Sequence, residues 1–284
     1  EVAVGMDPVV STAWLADRLR APDVRVVDGT WFMPAERRSG REEYLQAHIP
    51  GAVFFDIDAI ADRATDLPHM LPSPEVFAQE TGALGLPREA DIVVYDTHGI
   101  RSAARVWWTL RAMGYPKVYV LDGGLKKWLA EGRPVEAGEI FPRAAALEPI
   151  LDPALVRNVD DVRALLVSGE ARVVDARSAT RFTGETPEPR AGLRSGHMPG
   201  AANVPWEQVI AADGTLKPAD ELKAVFKAAG VDLGKPIVTS CGSGVTASVL
   251  ALALARIGLD RTAVYDGSWT EWGGLADTPV VIGA

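Results

Sequence analysis

Ile237-Val238-Thr239-Ser240-Cys241-Gly242-Ser243-Gly244-Val245-Thr246-Ala247 decides how the rest of the chain is read. A short β-branched run leads into a glycine-rich loop, and a helical pattern then continues from Thr246 to about Gly258. Cys241 is the only cysteine among 284 residues. It stands where a buried strand gives way to a helix N-terminus. Gly242 and Gly244 are free to take backbone angles that other residues avoid. The loop amides then turn inward and form a small anion-binding nest. Such a nest favours thiolate over thiol, so a resting pKa of roughly 8.5 should fall. The competing reading is a buried structural cysteine, a common fate of a free thiol.

Outward from this loop, the chain repeats itself. Val24-Arg25-Val26-Val27-Asp28 returns as Ala171-Arg172-Val173-Val174-Asp175. His48-Ile49-Pro50-Gly51-Ala52 returns as His197-Met198-Pro199-Gly200-Ala201. Ile92-Val93-Val94-Tyr95-Asp96 aligns with Ile237 to Cys241, and Leu121-Asp122-Gly123-Gly124 with Trp128 aligns with Tyr265-Asp266-Gly267-Ser268 with Trp272. Four separated motifs at a nearly constant offset mean two copies of one domain, not a solenoid.

Each copy alternates strands and helices. Runs such as Val24–Val27, Ile92–Tyr95 and Lys117–Leu121 are apolar throughout, as strands buried on both faces are. Helical patterns lie between them over Ser102–Met113 and Leu125–Glu131. The second copy gives strands at Arg172–Asp175, Ala202–Val204, Ile237–Ser240 and Ala263–Tyr265. Its helices run near Asp160–Ser168, Pro218–Ala229 and Thr246–Gly258. The alternation implies an α/β fold, each copy a mostly parallel sheet with helices on both faces. The expected division is a first domain over 8–137, a linker over 138–153 with Pro142, Pro149 and Pro153, and a second domain over 154–284.

Composition narrows the function classes. With 38 acidic against 29 basic residues the net charge is −9, which argues against nucleic acid and against an anionic membrane surface as partners. No stretch approaches the ~20 apolar residues of a membrane span. Glu1 to Met6 carry neither a basic region nor an apolar core, so no signal peptide is read. A lone thiol suits a reducing compartment, the cytoplasm or, after removal of a transit segment, the mitochondrial matrix. One cysteine and four histidines without ligand spacing give no metal site.

The duplicated plan, the His-x-Pro-Gly-Ala turn in each half and the loop from Cys241 to Thr246 resemble the two-domain rhodanese sulfurtransferases. Within them the loop is similar to that of the 3-mercaptopyruvate sulfurtransferases, which reads Cys-Gly-Ser/Ala-Gly-Val-Thr. Thiosulfate-preferring relatives carry two basic residues where this chain has Gly242 and Ser243. The resemblance implies tandem rhodanese-like domains in which Cys241 carries a persulfide and the first copy, with Asp96 at the cysteine position, is not nucleophilic. It implies that Arg181 and Arg190 bind the carboxylate and keto oxygen of the substrate, as guanidinium forks suit. From spacing alone, both arginines read as surface residues paired to Glu185 or Glu188. It implies a proton relay of Ser243, His69 and Asp58, with Asp56 an alternative partner for the histidine. An imidazole of pKa about 6.5 suits a proton shuttle near neutrality. Gly242, Gly244, Val245 and Thr246 would cradle the outer sulfur. No organic cofactor or metal is implied. The sulfur acceptor would be thioredoxin, a small thiol or cyanide.

His48 and His197 are duplicated while the chemistry is not, so both read as structural. Trp107, Trp108, Trp128, Trp269 and Trp272 read as packing residues. Three other functions compete. Thiosulfate sulfurtransfer differs only in the donor. A cysteine phosphatase or arsenate reductase needs Cys-x5-Arg, but Ala247 stands six residues after Cys241 and no arginine lies between Gly242 and Leu254. A non-catalytic binding module would not need the retained thiol.

Overall fold

The computed structural model describes residues 6–284; residues 1–5, where no signal peptide is read, lie outside the described residues. The chain divides into two compact units. The first comprises Met6–Asp152 with Ala211–Leu216, and the second Pro153–Ile210 with Lys217–Ala284.

In the first unit the strands are β1 (Val9–Val10), β2 (Val24–Asp28), β3 (Val53–Phe54), β4 (Asp91–Tyr95) and β5 (Val118–Leu121). All pairs are parallel, in the order β1-β5-β4-β2-β3. The helices are α1 (Thr12–Ala16), α2 (Gly40–Gln46), α3 (Pro74–Ala83), α4 (Ser102–Ala112) and α5 (Gly124–Ala130). Alternation along β4 explains why it is apolar throughout. Val93 and Tyr95 pack with Leu15, Tyr44, Leu125 and Trp128 on one face. A Cβ on Gly29 would meet both Val94 and Val106 of α4, which covers the other face.

The second unit repeats this plan. Strands β6 (Val156–Arg157), β7 (Arg172–Asp175), β8 (Ala202–Asn203), β9 (Ile237–Ser240) and β10 (Ala263–Tyr265) form a parallel sheet in the order β6-β10-β9-β7-β8. Its helices are α6 (Val159–Ser168), α7 (Ala179–Thr183), α8 (Ala219–Ala228), α9 (Val245–Arg256) and α10 (Ser268–Trp272). The two strand orders correspond position by position. The alternating pattern thus predicts the class of each sheet and its parallel sense.

Two segments depart from the expected division. Residues 138–152, read as a linker, run along the first unit: Gly138 N–H donates to Leu45 O and Asp152 N–H to Ala112 O. Residues 211–216 also belong to the first unit, where Leu216 N–H donates to Asp122 Oδ1 at 2.8 Å. Their polar, turn-rich sequence carries no period that would assign them to either half.

The duplicated histidines are held by main-chain carbonyls. His48 Nδ1 and Nε2 lie 2.9 Å from Ile49 O and Gly138 O, and His197 Nδ1 lies 2.8 Å from Phe182 O. Trp128 and Trp272 are fully buried and donate their indole N–H to Pro134 O and Pro279 O. These are packing roles, repeated because the fold is repeated.

The copies differ at one buried acid. Asp175 pairs with Arg177 at 2.7 Å, whereas Asp28 has Thr30 in the arginine's place and accepts its backbone N–H through Oδ1 at 2.9 Å. Burial pushes the Asp28 pKa up to about 6; hydrogen bonds from Thr30 oppose the rise and the nearby Asp96 adds to it. An acid whose folded pKa exceeds its unfolded value of 3.8 favours folding while protonated. That contribution is full below about pH 4 and is lost as the pH rises through about 6. Asp28→Asn should therefore raise the unfolding free energy at pH 7.5 by about 3 kcal/mol, with the gap closing toward pH 4. Urea denaturation across that range checks it, and a gap independent of pH would refute it.

Candidate active site

The second unit builds the site around the end of β9, the strand between β10 and β7. Cys241 follows directly, and α9 begins four residues later. The loop between them is fixed from both sides. On the helix side, Gly244 takes φ +86°, a conformation costly for any residue with a Cβ, and its N–H donates to Cys241 Sγ at 3.0 Å. Val245 opens α9 directly after this amide, so the sulfur lies at the start of the helix. From α10, the Ser268 hydroxyl accepts from Cys241 N–H at 3.1 Å and donates to Tyr265 O. Trp269 N–H donates to Cys241 O, while Thr270 donates its N–H (2.9 Å) and its hydroxyl (2.6 Å) to Gly242 O. Cys241 is 2% exposed and Ser243 is buried.

Gly242 is glycine for a different reason from the one expected. Its φ is not in the left-handed region. A Cβ there would lie 3.1 Å from Arg181 Nη2 and 3.9 Å from Arg190 Nη1. Both predicted arginines therefore face the loop beside the cysteine, and the missing side chain leaves them that space. Arg181, from α7, also holds a bidentate pair with Glu188 at 2.9 and 2.8 Å. The pairing to Glu188 that the spacing allows is thus formed, by a side chain that is partly buried. Glu188 is buried and its Oε1 also faces Arg177 at 3.4 Å. Arg177 is in turn paired with Asp175 and lies over the Trp269 ring at 4.3 Å. Burial works against the Arg181 charge, but the hydrogen bonds and charge of Glu188, with the Cys241 sulfur, raise its pKa. Arg190 donates to Thr270 Oγ1 at 3.2 Å.

The first unit shows what the same turn does with a carboxyl group. Asp96 occupies the cysteine position at the end of β4. Its Oδ1 accepts from the N–H groups of His98 (2.8 Å) and Gly99 (3.1 Å), and its Oδ2 from those of Arg101 and Ala103 (both 2.8 Å). Four main-chain donors converge on one carboxylate.

His69 and Asp58 are also in the first unit, and they meet: His69 Nδ1 lies 3.3 Å from Asp58 Oδ1. Asp58 Oδ2 accepts from Trp31 Nε1 at 2.9 Å, which aims the carboxylate. Asp56 is spent elsewhere, its Oδ1 accepting from the N–H groups of Asp58 and Ala59. His69 has φ +37°, rare for a residue with a side chain, and its carbonyl accepts from the buried Arg105 at 2.7 Å. Among the described residues no group of His, Cys, Asp and Glu side chains is placed to hold a metal ion.

Sequence reasoning assigned no role to Ser268, Thr270, Arg177 or Arg105. One of them left a signal. Ser268 stands where the first copy has Gly124, and it keeps the glycine's left-handed backbone, φ +50° against +60°. A serine in that conformation is held for its hydroxyl. Ser268→Ala should slow loading of an electrophile onto the Cys241 thiol about tenfold by releasing the Cys241 N–H, a loss of about 1.4 kcal/mol. Rapid-quench intact-mass measurement checks it, and an unchanged loading rate refutes it.

The profile of the Rhodanese-like domain family matches residues 11–131 and 158–275. The chain is 46% identical over 274 residues to the 3-mercaptopyruvate sulfurtransferase of Escherichia coli K12, covering 95% of this chain and 96% of that protein. It is 45% identical to the mitochondrial thiosulfate/3-mercaptopyruvate sulfurtransferase 1 of Arabidopsis thaliana, covering 96% of this chain and 78% of that protein. Among solved structures it is similar to the 3-mercaptopyruvate sulfotransferase SseA of Escherichia coli. There the TM-score is 0.86 at 42% identity, with 94% of this chain and 100% of that one covered.

Proposed function

The chain belongs to the family built from rhodanese-like domains, and from that premise we propose that it is a sulfurtransferase that carries the sulfur of 3-mercaptopyruvate, through a persulfide on Cys241, to a thiol or cyanide. The observation that carries the reading is a sulfur on a loop amide with two guanidiniums facing the adjacent Gly242.

In the first half-reaction the Cys241 thiolate attacks the substrate's sulfur. The S–S bond forms as the C–S bond breaks, and the bonding pair leaves on carbon as the enolate of pyruvate. The substrate's thiol proton passes to the relay of Ser243, His69 and Asp58 and returns to that carbon, so the products are pyruvate and the Cys241 persulfide anion. Gly242, Gly244, Val245 and Thr246 cradle the outer sulfur. In the second half-reaction an acceptor thiolate or cyanide takes the outer sulfur and Cys241 is restored as thiolate. Covalent transfer of this kind gives ping-pong kinetics. Thioredoxin and small thiols fit as acceptors, and a reducing compartment, cytoplasm or mitochondrial matrix, fits the reactive thiol. No helix among the described residues is long and apolar enough to cross a membrane.

Charge favours mercaptopyruvate over thiosulfate. Arg177 and Arg181 each meet a carboxylate, Asp175 and Glu188, and no basic side chain stands at Gly242 or Ser243 to meet a dianion. Incubation with mercaptopyruvate should add one sulfur to the intact protein, and Cys241→Ser should abolish the gain. A higher kcat/KM with thiosulfate would overturn the donor assignment. Gly242→Arg with Ser243→Lys should lower kcat/KM for mercaptopyruvate at least about tenfold, because the new side chain displaces Arg181, and should raise it for thiosulfate. An unchanged preference would refute the charge argument.

The assignment of the relay rests on the resemblance together with the His69–Asp58 pair. His69→Gln and Asp58→Asn should slow pyruvate release by roughly 10²-fold or more while leaving discharge of a preformed persulfide to thioredoxin nearly unchanged. Asp56→Ala should alter stability and spare both half-reactions. Equal slowing of loading and discharge in the His69 variant would remove it from the proton path.

A further inference from the structure

His69 stands in a stretch that no regular structure holds. Residues 55–73, between β3 and α3, form neither helix nor strand. Yet the imidazole is fully buried, while the Asp58 carboxylate that it meets is 60% exposed. Loops run over the surface and move more than the elements they join, so a loop that keeps a ring inside must be tied from elsewhere.

The ties come from the first turns of α4. Ser102 and Arg105 lie three residues apart and share one face of the helix. The Ser102 hydroxyl accepts from Trp31 N–H at 3.0 Å and donates to Gly29 O at 2.8 Å. Trp31 meets the imidazole edge to face, with centroids 5.1 Å apart, and gives its indole N–H to Asp58. Arg105 donates through Nη2 to His69 O at 2.7 Å. Its guanidinium carbon lies 4.6 Å from the centre of the Trp108 ring, and both side chains are buried. The next carbonyl, Met70 O, accepts from Asp62 N–H at 2.8 Å. Two successive carbonyls are thus held, one by α4 and one by the loop itself.

His69 takes φ +37°, a conformation that persists in a residue with a Cβ only where its surroundings over-determine it. The carbonyl carbon and Cβ are bonded to the same Cα, so a hold on His69 O restricts the direction in which the imidazole leaves the chain. A charged donor makes a stronger bond to that oxygen than a neutral one would. The guanidinium is also planar and already placed over an indole, so little freedom is lost when the bond forms.

We propose that Arg105 is a positioning residue for proton transfer: by holding the His69 carbonyl it keeps the left-handed turn that delivers the imidazole to Asp58. This role rests on the relay reading of His69, through which Arg105 acts. A buried arginine that only supported the fold would affect every reaction of the protein alike.

Two sulfur donors separate these roles. With mercaptopyruvate the relay takes the thiol proton and returns it to carbon. With thiosulfate the Cys241 thiolate attacks the outer sulfur, the S–S bond of the donor breaks and its pair leaves on sulfite, so no proton moves. Rapid-quench intact mass follows loading of the full chain from each donor. Arg105→Met should slow loading from mercaptopyruvate at least about tenfold and keep loading from thiosulfate within about twofold of the parent protein. Arg105→Lys, which retains a cation and an N–H donor, should slow mercaptopyruvate loading only about threefold. In a His69→Gln background neither substitution should slow loading further, because the group they position is already gone. Should the methionine variant fail to fold, the lysine variant carries the test, its slowing confined to mercaptopyruvate and absent in the His69→Gln background. Equal slowing with both donors, an unchanged rate with mercaptopyruvate, or additive slowing in the His69→Gln background would overturn the proposal. An unchanged rate in His69→Gln alone would overturn the relay itself, and this role with it.

Discussion

A strand that ends at the start of a helix leaves main-chain N–H groups converging with no backbone acceptor, and something must accept from them. This constraint shapes both halves of the molecule. In the first unit the chain supplies its own acceptor, the Asp96 carboxylate, bound by four amides. In the second the same turn holds Cys241 Sγ against Gly244 N–H. The carboxylate completes the cup with atoms that exchange nothing. The sulfur completes it with an atom that can bind a second sulfur and give it up. The difference between a structural loop and a reactive one is then a single residue type in a shared backbone.

Holding a buried sulfur this way limits what may stand around it. Side chains in front would block the donor, so the loop is tied from behind by Ser268, Trp269 and Thr270. Charge near it must be fixed without being exposed. Buried guanidiniums are costly alone, and breaking one partner of a buried pair typically costs 3–5 kcal/mol. The sequence of contacts Asp175–Arg177–Glu188–Arg181 solves this by alternation, each charge meeting the opposite sign. Glu188 does more than neutralise Arg181. Its bidentate grip sets the plane of the guanidinium whose Nη2 faces Gly242.

Much of this was legible in the residues. Strands such as Arg172–Asp175, Ile237–Ser240 and Ala263–Tyr265 are short, apolar and bounded by turns, and they form over those residues. The two-residue strands β1 and β6 leave no period to read, because their pairing with β5 and β10 is decided by tertiary contact. The same is true of residues 138–152 and 211–216. The position of Cys241 and the approach of Arg181 and Arg190 follow from motif and resemblance. The reason for Gly242 does not, since conformational freedom and close approach both select glycine and only coordinates separate them. Asp58 and Asp56 were equivalent in sequence; the indole of Trp31, distant along the chain, aims one of them at His69.

Duplication explains why the two halves tolerate different compromises. The first has no exchangeable atom to serve, so its loop closes on a fixed carboxylate, and residues 142–152 run along its sheet edge. Its buried Asp28 goes without the arginine that its counterpart Asp175 has. The second places that arginine, Arg177, in the charge chain leading to the sulfur loop. It also holds a serine in a glycine's conformation. These are strains of the kind that gather where a protein acts. Read across the repeat, each departure from its sister unit marks a place where the second half has given up local comfort, and most of those places surround one sulfur atom.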